Sequence, residues 1–220
     1  MKPDRTPDIT LLYAPRTRAF VALWMLEELG VPYALDAFDI HAGRQRSAAF
    51  RALNPMGKVP VVVDHGHPVS ETGAIALYLG DRYGSPSLVP GVQDEDRGAF
   101  LRWLFFAGNA IEPAYCQKVF GWQVDPGTAS WGSYERTMQT LLDAVTPGPW
   151  LLGERFTLAD VVVGNYVESG TKFGMVAADS PLADYARRAT KRPAYARAQA
   201  IEARESARFP PAEQRLPQAD

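Results

Sequence analysis

The feature that most constrains this 220-residue chain is a change in patterning across one proline- and glycine-rich segment. Residues 9–84 alternate short apolar runs with stretches of helical periodicity, which predicts strands and helices in a single unit. The segment GSPSLVPG, from Gly84 to Gly91, then marks a boundary. Beyond it the apolar residues follow helical spacing alone, so the sequence predicts a second domain that is all-helical.

The first unit is predicted to contain strands and helices in the order βαβαββα. Its elements are the strands Ile9–Tyr13, Tyr33–Phe38, Val59–Val63 and Pro68–Val69, and helices that begin at Arg16, Ser47 and Ser70. This is the element order of a thioredoxin-like α/β domain. We expect domains at 1–84 and 93–208, a linker at 85–92 and a flexible tail at 209–220.

The second domain is predicted to begin with a long helix, because its apolar residues form one stripe. That stripe consists of Phe100, Trp103, Leu104, Ala107 and Ile111. Further helices are predicted near residues 128–145, 158–173, 181–190 and 193–205. The expected fold class is therefore a thioredoxin-like N-terminal domain followed by an all-α C-terminal domain.

Charge and cysteine content exclude several classes of function. The formal net charge is −2, so no positive field draws the chain to nucleic acid. No apolar run reaches the roughly 18 residues that span a membrane. The single cysteine, Cys116, excludes an internal disulfide and a multi-cysteine zinc site, and we interpret it as a small packed residue. His65 and His67 lack a third ligand, so no metal is expected, and a cytoplasmic location is the default.

The segment NPMGKVP, from Asn54 to Pro60, directly precedes the predicted hairpin. Only an X–Pro bond takes the cis form at low cost, about 0.5–1 kcal/mol, and a cis Val59–Pro60 bond can present backbone groups to a bound peptide. An extended peptide beside Val59 can exchange main-chain hydrogen bonds with it. The alternative is an ordinary proline-containing turn.

The residues Ser70-Glu71-Thr72 open the third predicted helix. The hydroxyl of Thr72 and the unpaired N–H groups of the first turn can bind a carboxylate, and Glu71 can accept an ammonium group. A carboxylate beside an ammonium group is the α-amino-acid end of a γ-glutamyl peptide. The alternative is that Ser70 or Thr72 only caps the helix.

The segment YAPRTR, from Tyr13 to Arg18, joins the first strand to the first helix. Its hydroxyl groups lie near a helix N-terminus, where the macrodipole favours an anion. A thiol held there loses its proton more easily than a free thiol, whose pKa is about 8.5. The alternative is a capped helix start.

In series, these motifs resemble the N-terminal domain of cytosolic-type glutathione S-transferases of the bacterial and fungal branch whose first turn reads PRSRS. The stretches that carry the resemblance are LLYAPRTRAFVALWMLEELGVPYAL and NPMGKVPVVVDHGHPVSETGAIALYLGDRYG. In the second domain, PWLLGERFTLAD is similar to the family's helix-start motif, in which Thr157 caps and Asp160 reciprocates. The resemblance covers roughly residues 9–200.

The resemblance implies that glutathione is the co-substrate, bound without a metal. It implies that the main chain of Val59 pairs with the cysteinyl part of glutathione and that Pro60 is cis. Glu71 and Thr72 would hold the γ-glutamyl end. The cations that would meet the glycyl carboxylate or the thiolate are Lys58, Arg16 and Arg18.

The electrophile is implied to bind against the long helix of the second domain. The candidate residues for this substrate pocket are Phe105, Phe106, Asn109, Tyr115 and Trp122. For each aromatic residue the alternative is packing in the core or in a dimer.

The residue that activates the thiol stays open at this point. Some relatives place a cysteine two residues before the phenylalanine of the first helix, where this chain has Arg18. Thr17 takes the place of the serine in PRSRS and is the first candidate to donate a hydrogen bond to the thiolate. Tyr13 is the second candidate, and the backbone with the arginines is the third.

The resemblance implies a glutathione transferase that conjugates small, partly apolar electrophiles, as in detoxification, and that acts as a homodimer. One alternative is a glutathione-dependent isomerase or reductase on the same fold, and Lys118 is the only nearby cation for an isomerase. Another alternative is a non-catalytic, ligand-carrying or interaction module, because the fold alone does not fix the function.

Overall fold

The computed structural model describes residues 8–211, so residues 1–7 and the part of the predicted tail at 212–220 lie outside the described chain. The strands are β1 (Ile9–Tyr13), β2 (Ala34–Ala37), β3 (Val61–Asp64) and β4 (His67–Ser70). The helices are α1 (Ala19–Leu29), α2 (Ala48–Leu53), α3 (Thr72–Tyr83), α4 (Arg97–Phe106), α5 (Glu112–Phe120), α6 (Tyr134–Val145), α7 (Leu158–Lys172), α8 (Pro181–Thr190) and α9 (Pro193–Arg208).

The described chain forms two compact units. One contains residues 8–71 together with 194–211, and the other contains residues 72–193. The last helix therefore belongs with the N-terminal sheet, which the linear order of elements did not indicate. The predicted domains, which divide the chain near residue 84, stay a prediction.

The sheet of the first unit has the strand order β2-β1-β3-β4. Strand β1 runs parallel to β2 and antiparallel to β3, and β3 runs antiparallel to β4. Helix α1 connects the parallel pair, as a parallel connection requires. The βαβαββα order and the helices that follow confirm the predicted fold class.

The predicted elements of the first unit are confirmed, and their bounds shift by a few residues. Helix α1 begins at Ala19 rather than at Arg16, and it ends where Gly30 adopts the left-handed conformation, with φ of 64°. The hairpin turn at 65–66 also uses positive φ, 48° at His65 and 83° at Gly66. Glycine adopts this conformation at no steric cost, which is why the turn forms there.

Two apolar clusters hold the sheet of the first unit. Phe50 of α2 packs in a buried cluster with Leu12 of β1 and Val61 of β3. Tyr195 of α9 contacts Phe20 and Trp24 of α1, with ring centroids 5.5 and 4.8 Å apart. These edge-to-face contacts bring the C-terminal helix onto the helix that follows β1.

The second unit is helical, and its first long helix is not continuous. A π-helical turn, Ala107–Ile111, separates α4 from α5, so the predicted apolar stripe crosses a local widening. The predicted helix near 128–145 begins only at Tyr134, where Ser133 accepts a hydrogen bond from the N–H of Arg136. The segment before α4 is fixed by Arg155, which pairs with Asp94 at 2.8 Å.

The helix-start motif of α7 forms the predicted capping box. Thr157 caps the helix, and its N–H donates to Asp160 Oδ2 at 2.9 Å. Asp160 Oδ1 accepts from the N–H of Leu151 at 2.9 Å and from the hydroxyl of Tyr185 at 3.0 Å. Burial raises the pKa of Asp160 to about 6, and these hydrogen bonds oppose the shift.

Candidate active site

The turn that follows β1 contains the candidate thiol-activating residues. Thr17 is half-buried, its hydroxyl donates to the carbonyl oxygen of Ala14 at 2.6 Å, and its oxygen accepts from the N–H of Ala19 at 3.1 Å. The capping interpretation of this turn is therefore realised in the structure. The Thr17 hydroxyl can donate a hydrogen bond to a thiolate only if it rotates away from the carbonyl oxygen of Ala14.

Tyr13, the second candidate, is fully buried, and its hydroxyl donates to the carboxylate of Glu202 on α9. The same carboxylate accepts from the backbone N–H of Arg16 at 2.7 Å. Burial raises the pKa of Glu202, opposed by the N–H of Arg16 and the hydroxyl of Ser206. The Tyr13 hydroxyl therefore already donates its hydrogen bond to Glu202.

The arginines of the turn are exposed, and Arg16 has φ of 60°, an uncommon conformation for a residue with a side chain. The guanidinium of Arg16 donates to the carbonyl oxygens of Ser206, at 3.3 Å, and of Phe209. Arg16 is therefore bound to the end of α9. Arg18 immediately precedes α1.

The loop Asn54–Pro60 is ordered by the buried side chain of Asn54. Its Nδ2 donates to the carbonyl oxygen of Lys58 at 2.8 Å, and its Oδ1 accepts from the N–H of Met56 at 3.1 Å. The bond between Val59 and Pro60 is cis, as the resemblance implies. The loop thus places Val59 directly before β3, with the ammonium group of Lys58 exposed.

Gly57 is required in this loop for two reasons. Its φ is 62°, and a Cβ at this position would lie 2.8 Å from the carbonyl oxygen of Gln45. That separation is shorter than van der Waals contact, so a side chain would push the loop away from the 3₁₀ turn Arg44–Arg46. Asn54 and Gly57 both belong to the motif NPMGKVP, but the local pattern assigns a role to neither.

Glu71 occupies a strained conformation at the end of the hairpin. Its φ is 69°, and its side chain is exposed. Such left-handed conformations cost about 1–3 kcal/mol for residues other than glycine and are enriched at functional sites. The next residue, Thr72, begins α3, so its unpaired first-turn N–H groups follow Glu71 directly.

The candidate pocket residues all lie in the second unit, and they differ in how far their side chains are exposed. Phe105 and Trp122 are exposed, at 48% and 46%, and Asn109 is exposed in the π-helical turn. Phe106 is half-buried against Trp103, with ring centroids 5.2 Å apart. Tyr115 is buried, and its hydroxyl donates to the carbonyl oxygen of Tyr166 at 3.2 Å, as in core packing.

Four further candidate residues have defined surroundings. Lys118 lies 5.1 Å from the ring centroid of Tyr134. Cys116 is half-buried and is not in a disulfide. His65 is exposed in the hairpin turn, and His67 is exposed at the start of β4.

Residues 8–211 contain neither a clustered set of metal ligands nor a membrane-spanning helix. Within this range, no group of three or more His, Cys, Asp or Glu side chains is arranged to hold a metal ion. None of the helices described there combines the length and the apolar character that crossing a bilayer requires.

Comparison with known proteins identifies relatives of different activities. The chain is 29% identical over 177 residues to the disulfide-bond oxidoreductase YfcG of Escherichia coli, over 74% of this chain and 81% of the relative. It is 36% identical over 106 residues to glutathione S-transferase 3 of Schizosaccharomyces pombe, over 48% of this chain and 43% of the relative. It is 29% identical over 158 residues to elongation factor 1-gamma of Artemia salina, over 69% of this chain and 36% of the relative. The matches therefore span less than half the length of two of these relatives.

The fold is also similar to solved structures. A glutathione transferase from Methylococcus capsulatus superimposes with a TM-score of 0.74 at 25% identity, over 89% of this chain and 98% of that one. The glutathione transferase URE2P6 from Phanerochaete chrysosporium, crystallised with oxidized glutathione, gives 0.76 at 24% identity, over 91% and 98% of the two chains. Residues 7–81 match the family described as glutathione S-transferase, N-terminal domain. The chain therefore contains a glutathione S-transferase N-terminal domain at residues 7–81, and over most of its length it has the fold of glutathione transferases.

Proposed function

We propose that this protein binds glutathione as the thiolate and transfers it to a small, partly apolar electrophile. The observation that carries the proposal is the main chain of Val59, which has no hydrogen-bond partner among residues 8–211. Asn54 fixes the loop on one side of it, and the buried Pro60 leads into β3 on the other. An extended tripeptide can pair with this main chain as a short added strand.

The charged groups near this loop match the two ends of glutathione. The strained, exposed Glu71 supplies a carboxylate for the ammonium group of the γ-glutamyl residue. Thr72 at the start of α3 supplies N–H groups for its α-carboxylate. Lys58 supplies a cation for the glycyl carboxylate. This use of Arg16 is disfavoured, because its guanidinium already bonds to α9.

We assign thiolate stabilisation to Thr17 and not to Tyr13. The Tyr13 hydroxyl is buried and donates to Glu202, whereas Thr17 lies at the start of α1, where the macrodipole favours an anion. Rotation of the Thr17 hydroxyl from Ala14 to the sulfur would add one donor. The thiolate then forms a carbon–sulfur bond with the electrophile, the leaving group departs with its electron pair, and the thiol proton goes to solvent.

For the electrophile, we retain the exposed Phe105, Asn109 and Trp122 with the half-buried Phe106 as candidates. Tyr115 is assigned to packing, because its ring is buried and its hydroxyl bonds to the backbone of α7. The homodimer and the cytoplasmic location also stay proposals. Sedimentation of the purified chain at several concentrations tests the first of these.

The binding test is calorimetry with glutathione and two truncated peptides. Glutathione should bind and raise the melting temperature, as any ligand of the native state does. Cysteinylglycine lacks the γ-glutamyl group that Glu71 and Thr72 hold, so it should bind at least about tenfold more weakly. A conjugation assay with a halogenated nitrobenzene follows. No heat and no thermal shift with glutathione would refute the proposal, whereas binding without turnover would favour a carrier.

A second candidate function is glutathione-dependent disulfide reduction, favoured by the similarity to the disulfide-bond oxidoreductase YfcG. With Arg18 at the position of the cysteine, two glutathione thiols would reduce one disulfide to two thiols and leave as glutathione disulfide. Wild type and Cys116→Ser should then reduce a model disulfide equally. A rate that exceeds conjugation would make reduction the principal activity.

A further inference from the structure

The turn after β1 is tied to the C-terminal helix by one carboxylate. Glu202 accepts from the side-chain hydroxyl of Tyr13 and, through Oε1, from the backbone N–H of Arg16 at 2.7 Å. The hydroxyl of Ser206, one helical turn later, also donates to Oε1, at 3.3 Å. A single side chain on α9 therefore holds the last residue of β1 and the residue before Thr17 in one arrangement.

The conformation that this carboxylate holds is strained. Arg16 has φ of 60°, which a residue with a Cβ adopts only when its surroundings impose it. Its guanidinium donates to the carbonyl oxygens of Ser206 and Phe209 at the end of α9, where the helix macrodipole is negative. The backbone and the side chain of Arg16 are thus both fixed by the same helix.

The consequence concerns Thr17, the next residue. Because Arg16 is left-handed, its conformation sets the direction in which the Thr17 peptide and hydroxyl point. We propose that Glu202 is a positioning residue for the thiolate site, which holds Arg16 and Tyr13 so that Thr17 meets the sulfur of glutathione. This inference rests on the proposed function. Misplacement of such a donor by about 1 Å can cost up to about 100-fold in rate.

Glu205 provides a matched control on the same helix. It is a carboxylate at 4% exposure, whereas Glu202 is half-buried, and the side-chain partners of Glu205 are Arg204 at 2.9 Å and Arg208 at 3.5 Å, both on α9 itself. Removing its charge perturbs α9 without touching the turn. A purely structural role for Glu202 would make the two positions behave alike.

The experiment compares Glu202→Ala, Glu202→Gln, Glu202→Asp and Glu205→Gln. Four quantities are measured: the melting temperature, the glutathione affinity by calorimetry, the pKa of the bound thiol from the ultraviolet absorbance of its thiolate, and the conjugation rate near neutral pH. Glu202→Ala should raise the pKa of the bound thiol by about one unit and lower the conjugation rate near neutral pH about tenfold. Glu205→Gln should leave both at the wild-type values.

Glu202→Gln should recover most of the effect, because its amide oxygen accepts from Arg16 while its NH₂ group donates to the Tyr13 oxygen. Glu202→Asp, one methylene shorter, cannot reach both donors and carries the test if the alanine variant does not fold. A wild-type thiol pKa in Glu202→Asp and in any folded Glu202→Ala would overturn the inference. If the wild type itself binds no glutathione, the proposed function fails first, and that result is seen before any variant is made.

Discussion

The hydroxyl of Tyr13 donates to the carboxylate of Glu202, a residue 189 positions later in the chain. Tyr13 is a candidate thiol activator, but its hydroxyl already donates a hydrogen bond within the protein. The two candidate activators therefore differ in their partners. The Tyr13 hydroxyl donates to Glu202, whereas the Thr17 hydroxyl oxygen accepts from the N–H of Ala19 at the start of α1. The first two predictions follow from this difference.

Tyr13→Phe removes the hydroxyl but keeps the buried ring. We expect a loss of about 1–2 kcal/mol in unfolding free energy, because Glu202 loses one of its donors. Conjugation near neutral pH should fall less than about threefold, since the Tyr13 hydroxyl donates to Glu202 and we do not assign it to the sulfur. Urea unfolding and steady-state kinetics measure the two effects. A drop of 100-fold or more would return Tyr13 to the activating role.

Thr17→Val removes the donor that we assign to the thiolate. The conjugation rate should fall about tenfold at about pH 7 and far less at about pH 9, where free thiol is ionised without assistance. Stability should fall by about 1 kcal/mol from the lost cap. Thr17→Ser keeps the hydroxyl and should retain the wild-type pH profile. If valine and serine give the same profile, Thr17 has no part in activation.

Glu71→Gly should change stability and binding in opposite directions. Glycine adopts φ of 69° without strain, so the free energy of unfolding should rise by about 1 kcal/mol. Glutathione affinity should fall at least about tenfold, because the carboxylate that accepts the ammonium group is lost. Glu71→Gln keeps the strain and removes the charge, and should lose affinity without the gain in stability. Calorimetry and chemical unfolding check both quantities.

Gly57→Ala should disturb the loop that presents Val59. The added Cβ would lie 2.8 Å from the carbonyl oxygen of Gln45, in addition to the cost of positive φ. Gly66→Ala is the control, since Gly66 also has positive φ, 83°, but a Cβ there meets nothing within 4 Å. We expect both to lose about 1 kcal/mol for the backbone, and Gly57→Ala to lose more and to weaken glutathione binding. If Gly57→Ala and Gly66→Ala lost the same stability and the same glutathione affinity, the proposed clash between residue 57 and Gln45 would be contradicted.

Asp160 should make stability depend on pH in a defined direction. Burial raises its pKa from 3.8 to about 6, so the native state holds the proton more tightly than the unfolded chain. This contribution to stability is complete below about pH 3.8 and is lost as the pH rises through about 6. Wild type should therefore lose stability between pH 5 and 7 relative to Asp160→Asn, which does not titrate. Unfolding free energies at both pH values test this, and parallel curves would contradict it.

The local patterns of the chain were sufficient for most of the fold. The apolar run at Ile9–Tyr13 predicted β1 with the bounds that the structure has. Helix starts were predicted early, at Arg16 and Ser70, because polar residues directly before an apolar periodic stretch are typical of a helix N-terminus. Their true positions depend on backbone conformations, left-handed at Arg16 and at Glu71, that spacing does not encode.

Sequence alone therefore determined the order of elements, the NPMGKVP loop and the Glu71-Thr72 helix start, because each depends on neighbours within a few residues. Tertiary structure decided the hydrogen-bond partner of the Tyr13 hydroxyl. Glu202 lies in a helical stretch rich in charge, and nothing in that pattern indicates a partner at Tyr13. A hydrogen bond between residues so far apart in sequence exists only once α9 has packed on α1, and this engagement of the Tyr13 hydroxyl is the reason that we propose Thr17 as the donor.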